Sequence, residues 1–386
     1  MSRIDELIQR YCPDGVQYIP LGEICSIETG RRDANAAVPG GNYNFYTTSK
    51  VVSRIETYRW DTDALLIAGN ANVGDVKHFN GKFDAYQRTY VLTEFSKVVI
   101  SRFLYYAIKS RFKEYLSNKT NTAAMTYIVL GTLKNFKIPV PPLEVQREIV
   151  SILDAFTQLE AELEAELEAR RQQYEHYRDQ LLTCEQYCPD GVENLVMGEV
   201  ATISGNGVQP SAMGTEPVSI FSLPSFDHGR VPETVGGTEV GSAKTKLGEP
   251  CVLVAKLNPH IPRVWRLDSL PERSYCSPEF YPLEPFHDVV DLGYLYYFVL
   301  TKMPLLAGAV TGSTNSHKRL HREDFLRLQI PVPPLEVQRE IVSILDKFDA
   351  LVNDLSSGLP AEITARRQQY EYYRDKLLTF DELTPV

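Results

Sequence analysis

IPVPPLEVQREIVSILD, residues 138–154, returns unchanged over all 17 positions at 330–346. Further on, ARRQQYEHYRDQLLT at 169–183 is matched by ARRQQYEYYRDKLLT at 365–379, with 13 identities in 15. The offset grows from 192 to 196, so the second copy holds four extra residues between these blocks. Tyr11-Cys-Pro-Asp-Gly-Val16 also returns, at 187–192. The 386-residue chain is therefore two half-molecules, each a variable segment followed by a near-invariant tail.

Each tail reads as a long helix entered through a Pro-Pro pair, which suits a helix start and not its interior. Apolar residues Val145, Ile149, Ile152, Phe156, Leu159 and Leu163 follow one another by alternating steps of four and three. Val337, Ile341, Ile344, Phe348, Leu351 and Leu355 repeat the steps, which form a heptad seam. The seam resumes at Tyr174, Tyr177 and Leu181 and at Tyr370, Tyr373 and Leu377. Two such helices in one chain would pair most simply with each other, antiparallel. The first contains Leu-Glu-Ala-Glu units at 159–170, built from strong helix formers. The second has Gly358 and Pro360 instead, which should break or kink it.

The variable segments differ in sequence but share a plan. Buried-strand candidates are 64–68 and 90–92 in the first, and 218–221 and 251–255 in the second. A helix follows, at 102–115 and at 292–302, each containing Leu-Tyr-Tyr. Polar loops come next, at 117–126 and 311–318, and then a short helical turn leads into the proline pair. The domains expected are 1–137 (with a short N-terminal helix over 3–10), the helix 138–183, the second domain 184–329 and the helix 330–386.

No phosphate loop, dinucleotide fingerprint or nucleophile elbow occurs, which favours a binder over an enzyme. The six cysteines form no Cys-x-x-Cys pair and read as reduced thiols. His317 and His321 lie beside Lys318, Arg319 and Arg322, where a phosphate-facing surface fits better than a metal. No apolar run is long enough to span a membrane and no secretory leader precedes the fold, so a cytoplasmic protein is expected. Residues suited to nucleic acid do cluster. In the first segment they are Arg31, Arg32, Asn70, Asn72, Lys77, Arg88, Lys119, Asn121 and Thr122. In the second they are Lys244, Lys246, Lys256, Arg263, Arg266, Thr314, Asn315, Lys318 and Arg319. Arginine and asparagine can read base edges, while lysine and threonine serve phosphates.

The net charge of −10 argues against nucleic acid until it is partitioned. Residues 1–137 carry +5, 138–183 carry −6, 184–329 carry −5 and 330–386 carry −4. The two tails account for the whole excess, and the variable segments sum to zero. The stretch 300–322 has four basic residues and no acid. Such a chain should bind DNA weakly alone and need a basic partner.

Two variable segments separated by Ile-Pro-Val-Pro-Pro-Leu-Glu-Val-Gln-Arg-Glu-Ile and a long helix resemble the specificity subunit of type I restriction–modification systems, over essentially the whole chain. The resemblance implies an α+β fold with a pseudo-two-fold internal repeat: two globular α/β target-recognition domains separated by two long antiparallel coiled-coil helices. Each domain would read one half of a split site in double-stranded DNA. The helices would set the spacer and dock two methyltransferase subunits, to which restriction subunits are added. S-adenosylmethionine, ATP and Mg would belong to those partners, with no cofactor and no catalysis in this chain. An alternative is the specificity subunit of a two-subunit fused restriction–methylation enzyme.

Overall fold

The computed structural model describes residues 3–119, 127–188, 191–309, 319–354 and 357–383. Two compact units are present, 1–164 with 362–386, and 165–361.

In the first unit a six-stranded sheet runs in the order Ser26–Thr29, Thr89–Thr93, Trp60–Ala68, Val76–Ala85, Tyr43–Tyr46, Ser53–Ile55. All neighbours are antiparallel except Tyr43–Tyr46 beside Val76–Ala85. Residues 64–68 are buried on both faces of the sheet, which is why they form a continuous apolar run and not an alternation. Helix Ser101–Lys119 covers one face, burying Phe103, Leu104, Ala107 and Phe112 with Leu65, Ile67 and Leu92. Trp60, Leu66, Phe83 and Val91 form a smaller cluster. The N-terminal helix is Arg3–Tyr11.

The second unit repeats this topology with interruptions. Residues Ala201–Ile203, Phe280–Pro285, Cys251–Ala255 and Val264–Leu267 make one sheet. Gly207–Val208, Lys244–Lys246, Ser274–Cys276, Pro217–Phe221 and Glu233–Gly236 make another, again with one parallel pair, Pro217–Phe221 beside Ser274–Cys276. The two long strands of the first unit are each broken here. Gly248 and Pro250 divide 244–246 from 251–255, and the loop with Pro271 divides 264–267 from 274–276. Proline cannot donate to a ladder, so the single sheet becomes two. Helix Leu292–Ala309 takes the place of 101–119.

In both units a two-stranded ribbon ties the start of the variable segment to its end. Gln17–Pro20 pairs Lys137–Val140, and Glu193–Val196 pairs Gln329–Val332. The short helical turns before the proline pairs are Leu130–Lys134 and Arg322–Leu326.

The first tail is one helix, Leu143–Thr183, of 41 residues. The second tail, where Gly358 and Pro360 lead one to expect a break, is two helices: Leu335–Asn353 and Gly358–Leu377. Gly358 sits at φ +71°, and a Cβ there would lie 2.6 Å from the carbonyl oxygens of Ala350 and Leu351. Only glycine fits that backbone without strain.

Helix pairing is antiparallel within each unit. In the first, Phe156 packs on Tyr370 and Tyr373, and Arg367 binds Glu160 at 2.5 Å and also Glu164. In the second, Tyr177 stacks on Phe348 and the Tyr174 hydroxyl reaches Asp349 at 3.4 Å. Of the seam residues, Val145, Ile149 and Ile341 are fully buried, while Ile152, Phe156, Leu159, Leu163, Val337, Ile344 and Phe348 are half-buried. The seam reading misplaces Leu351, which is 39 % exposed, and Val352 beside it is buried instead. Leu153 and Leu345, outside the seam, are also fully buried. A helix of 3.6 residues per turn drifts off a strict heptad, and the second apolar stripe faces the globular domain. Leu355 lies outside the described residues.

The tails grip their domains by identical chemistry. Gln146 is fully buried; its Oε1 accepts from Ile100 N at 2.8 Å and its Nε2 donates to Val98 O and Pro141 O at 2.8 and 2.7 Å. Gln338 does the same with Asp291 N, Val289 O and Pro333 O at 2.7, 3.0 and 2.8 Å. Just over two turns later, eight residues on, Asp154 takes Arg102 and the Tyr106 hydroxyl, at 2.7 and 2.5 Å. Its counterpart Asp346 takes Arg266 and the Tyr297 hydroxyl, at 2.8 and 2.6 Å. Arg102 comes from a helix and Arg266 from a strand. Burial, then the adjacent carboxylate, pushes both phenols well above the usual tyrosine range and keeps them as donors. Burial works against the Arg266 charge, but Asp346 and Asp268 more than offset it.

Candidate nucleic-acid interface

In the first unit, hydrogen bonds gather several chain segments at one place. Gly69 N donates to Arg88 O at 2.8 Å, and Tyr86 N to Tyr46 O at 2.9 Å. Arg32 forms a bridge with Tyr86. Asn72 Nδ2 donates to Thr48 O at 2.8 Å, and Lys77 Nζ to Ser49 O at 2.9 Å. The result is a cleft of about 370 Å³ lined by Thr47, Thr48, Ser49, Asn70, Asn72 and Tyr86, with Ala34 and Ala71. Its walls carry hydroxyls and amides and no acid, which suits polar edges better than an apolar ligand.

Of the residues chosen from sequence, Asn70 and Asn72 line this cleft. Arg31 and Arg88 are exposed beside it in sequence and form no ion pair among the described residues. Arg32 and Lys77 are engaged internally, Arg32 with Asp84 at 3.3 Å and Lys77 with Asp75 at 3.0 Å. They shape the loops more than they offer free charge. Thr47, Thr48, Ser49 and Tyr86 were missed by sequence reasoning. A Thr-Thr-Ser run before a strand break was the available signal, but nothing local ties it to residue 70.

In the second unit, Lys256 and Arg319 come together around Glu279. Arg319 pairs Glu279 at 3.1 Å, and Lys256 Nζ donates to Pro278 O at 2.6 Å while lying 4.5 Å from the Tyr281 ring centre. Burial holds the Lys256 ammonium below the usual lysine range, with Glu279 opposing. Arg263 is locked by Asp227 through two bonds of 2.7 and 2.8 Å. The same pairing holds the Asp227 carboxyl below its usual range. Lys244 bonds Ser242, and Lys246 is exposed; both stand on the sheet that lacks Cys251–Ala255. The Lys119 side chain, Asn121, Thr122, Thr314, Asn315 and Lys318 lie outside the described residues.

The two units match closely around this region. Strands 60–68 and 251–255 end at Ala68 and Ala255, and three residues on stand Ala71 and Asn258, at φ +54° and +53°. Gly69 O accepts from Ile128 N and Lys256 O from Leu320 N, both at 2.8 Å. The Tyr90 and Tyr281 hydroxyls latch Ile128 O and Leu320 O at 2.8 and 3.1 Å. A non-glycine residue in the left-handed region costs about 1–3 kcal/mol. Beside it, the Oδ1 atoms of Asn70 and Asn258 are buried with no partner among the described residues, each at a further cost of about 1–3 kcal/mol.

Among the described residues no His, Cys, Asp and Glu group could hold a metal, and no helix is long and apolar enough to cross a membrane.

A family model described as the type I restriction modification DNA specificity domain matches residues 13–169 and 269–365. A Haemophilus influenzae chain named for the specificity subunit of a type I restriction enzyme is 29 % identical over 387 residues, covering 95 % of this chain and 96 % of that one. The Escherichia coli EcoR124I/EcoR124II specificity subunit is 34 % identical over 264 residues, 63 % of each chain. The crystal structure of the type I S subunit from M. genitalium shares the fold, with a TM-score of 0.60 at 14 % identity, covering 94 % of this chain and 96 % of that one. These matches favour the type I reading over the fused two-subunit enzyme. With one matching region in each half of the repeat, together about two thirds of its length, the chain belongs to the type I restriction–modification DNA specificity family.

Proposed function

We propose that the chain is the DNA-reading, non-catalytic subunit of a type I restriction–modification complex. Each unit reads one half of a bipartite site in double-stranded DNA. The repeated helices set the spacer and dock two methyltransferase subunits, and restriction subunits join that core. The chain binds no cofactor; S-adenosylmethionine, ATP and Mg serve the partner subunits. The reading rests above all on one observation: two units repeat related strand orders, the same strand-end turn and the same tail anchors, while their variable segments differ in sequence. That is what two modules with one task and different targets require. The partition of charge agrees in part: the two tails together carry −10 and residues 1–137 carry +5, while residues 184–329 carry −5, with four basic residues and no acid at 300–322.

The test is methylation-sensitive sequencing of DNA from cells carrying this chain with its methyltransferase. A split motif with a fixed spacer is expected. A continuous motif, or methylation without sequence preference, would overturn the proposal.

A further inference from the structure

The strand-end turns carry more than the general reading uses. A turn whose only task was to reverse the chain would place glycine at the left-handed position and leave no buried acceptor unpaired. Neither unit does so. Ala71 and Asn258 stand at φ +54° and +53°, and Asn70 Oδ1 and Asn258 Oδ1 are both buried without a partner among the described residues. The variable segments have little sequence in common, yet each places a non-glycine residue in the left-handed region, alanine in one and the better-tolerated asparagine in the other, and within one residue of the same position each keeps a buried, unpaired amide oxygen. Each turn is also held rigidly from behind, by the backbone bond to Ile128 or Leu320 and by the Tyr90 or Tyr281 hydroxyl. In the first unit the neighbouring polar groups are already committed: Asn72 to Thr48 O and Lys77 to Ser49 O. Asn70 is the cleft amide with no such commitment among the described residues.

We propose that these two turns are the base-reading elements of the two domains. Asn70 and Asn258 each accept a hydrogen bond from an exocyclic amine in the major groove, adenine N6 or cytosine N4. The soft χ2 of an asparagine lets the amide swing from its buried position toward the base. This inference rests on the DNA-specificity reading and refines it to single side chains.

The experiment uses the complex of the full chain with its methyltransferase subunits, and duplexes randomised at each position of the methylated site. Asn70→Ala should relax discrimination at one base pair of one half-site by roughly ten- to a hundredfold and leave the other half-site unchanged. Asn258→Ala should do the converse. Asn70→Asp separates the two bases, because aspartate keeps the acceptor but cannot donate to adenine N7. Preference survives the change if the base is cytosine and falls if it is adenine. Thermal melting checks that each variant folds, and Asn70→Ser replaces Asn70→Ala if that variant does not. Folded variants that keep the wild-type preference at every position, or that lose affinity equally at all positions, would overturn the assignment. A wild-type complex with no split-site preference would instead overturn the DNA-specificity reading itself.

Discussion

Replacing Gln146 by alanine should strongly destabilise the first unit. The amide is itself fully buried and makes three hydrogen bonds of 2.7–2.8 Å, the one to Pro141 O buried and the other two partly so. Alanine leaves Ile100 N–H, Val98 C=O and Pro141 C=O unpaired there. A buried backbone group stripped of its partner loses about 1–3 kcal/mol, and the three share one site, so their losses are not fully additive. The expected destabilisation is about 3–6 kcal/mol. A domain is stable by only about 5–15 kcal/mol, so this is a large fraction of the total. Gln338→Ala should do the same to the second unit, through Asp291 N, Val289 O and Pro333 O. Amide hydrogen exchange read by mass spectrometry separates the two. In Gln146→Ala, peptides containing Ile100 should lose protection while those containing Asp291 keep it, and Gln338→Ala should reverse the pattern. Urea unfolding gives the magnitude. A loss below about 1 kcal/mol in both variants, with protection unchanged, would refute the idea that these amides fasten the tails to the domains.

Three further outcomes follow from the same geometry. Deleting Leu163–Glu166 moves Leu167 and Glu168 into the places of Leu163 and Glu164, preserving the Arg367 ion pair; the methylated motif should keep both half-sites and lose about two base pairs of spacer, since the helix shortens by about 6 Å. Tyr106→Phe and Tyr297→Phe each remove a buried donor to a carboxylate and should lower stability by about 1.5–3 kcal/mol by urea titration, whereas Arg367→Ala, at an exposed pair, should change it by under about 1 kcal/mol. Exchanging residues 17–137 for the matching segment of a relative should alter one half-site only, again by methylation-sensitive sequencing.

The repeat, the proline-marked helix starts and the short apolar strands were legible because each is a local pattern. Residues 64–68 and 251–255 announce buried strands by composition alone. The glycine and proline of 358–360 announce the break in the second tail. Gln146 and Gln338 were invisible for the opposite reason. A glutamine beside a charged pair reads as surface, and its burial follows from backbone groups some 46 residues away. The heptad seam found the helix–helix contact but not the second stripe through Leu153 and Leu345, because periodicity says that a face is apolar and not what covers it. At the candidate interface, residue types were right more often than their availability. Arg32, Lys77 and Arg263 look free in sequence, but each is engaged by a carboxylate, and for Arg32 and Arg263 that partner is 52 and 36 residues distant. Ion pairing of this kind leaves no periodic trace.

The anchors of Asp154 and Asp346 bear on how such proteins diversify. The carboxylate stands in the repeated tail, yet one domain answers it with an arginine from a helix and the other with an arginine from a strand. The tail thus asks its domain for a guanidinium, a phenol and a few backbone groups, and is indifferent to the element that delivers them. Recombination within the 17-residue identical block can therefore graft a foreign domain onto the chain without remaking the joint. New DNA addresses can arise in one crossover, as long as the incoming domain brings those few groups.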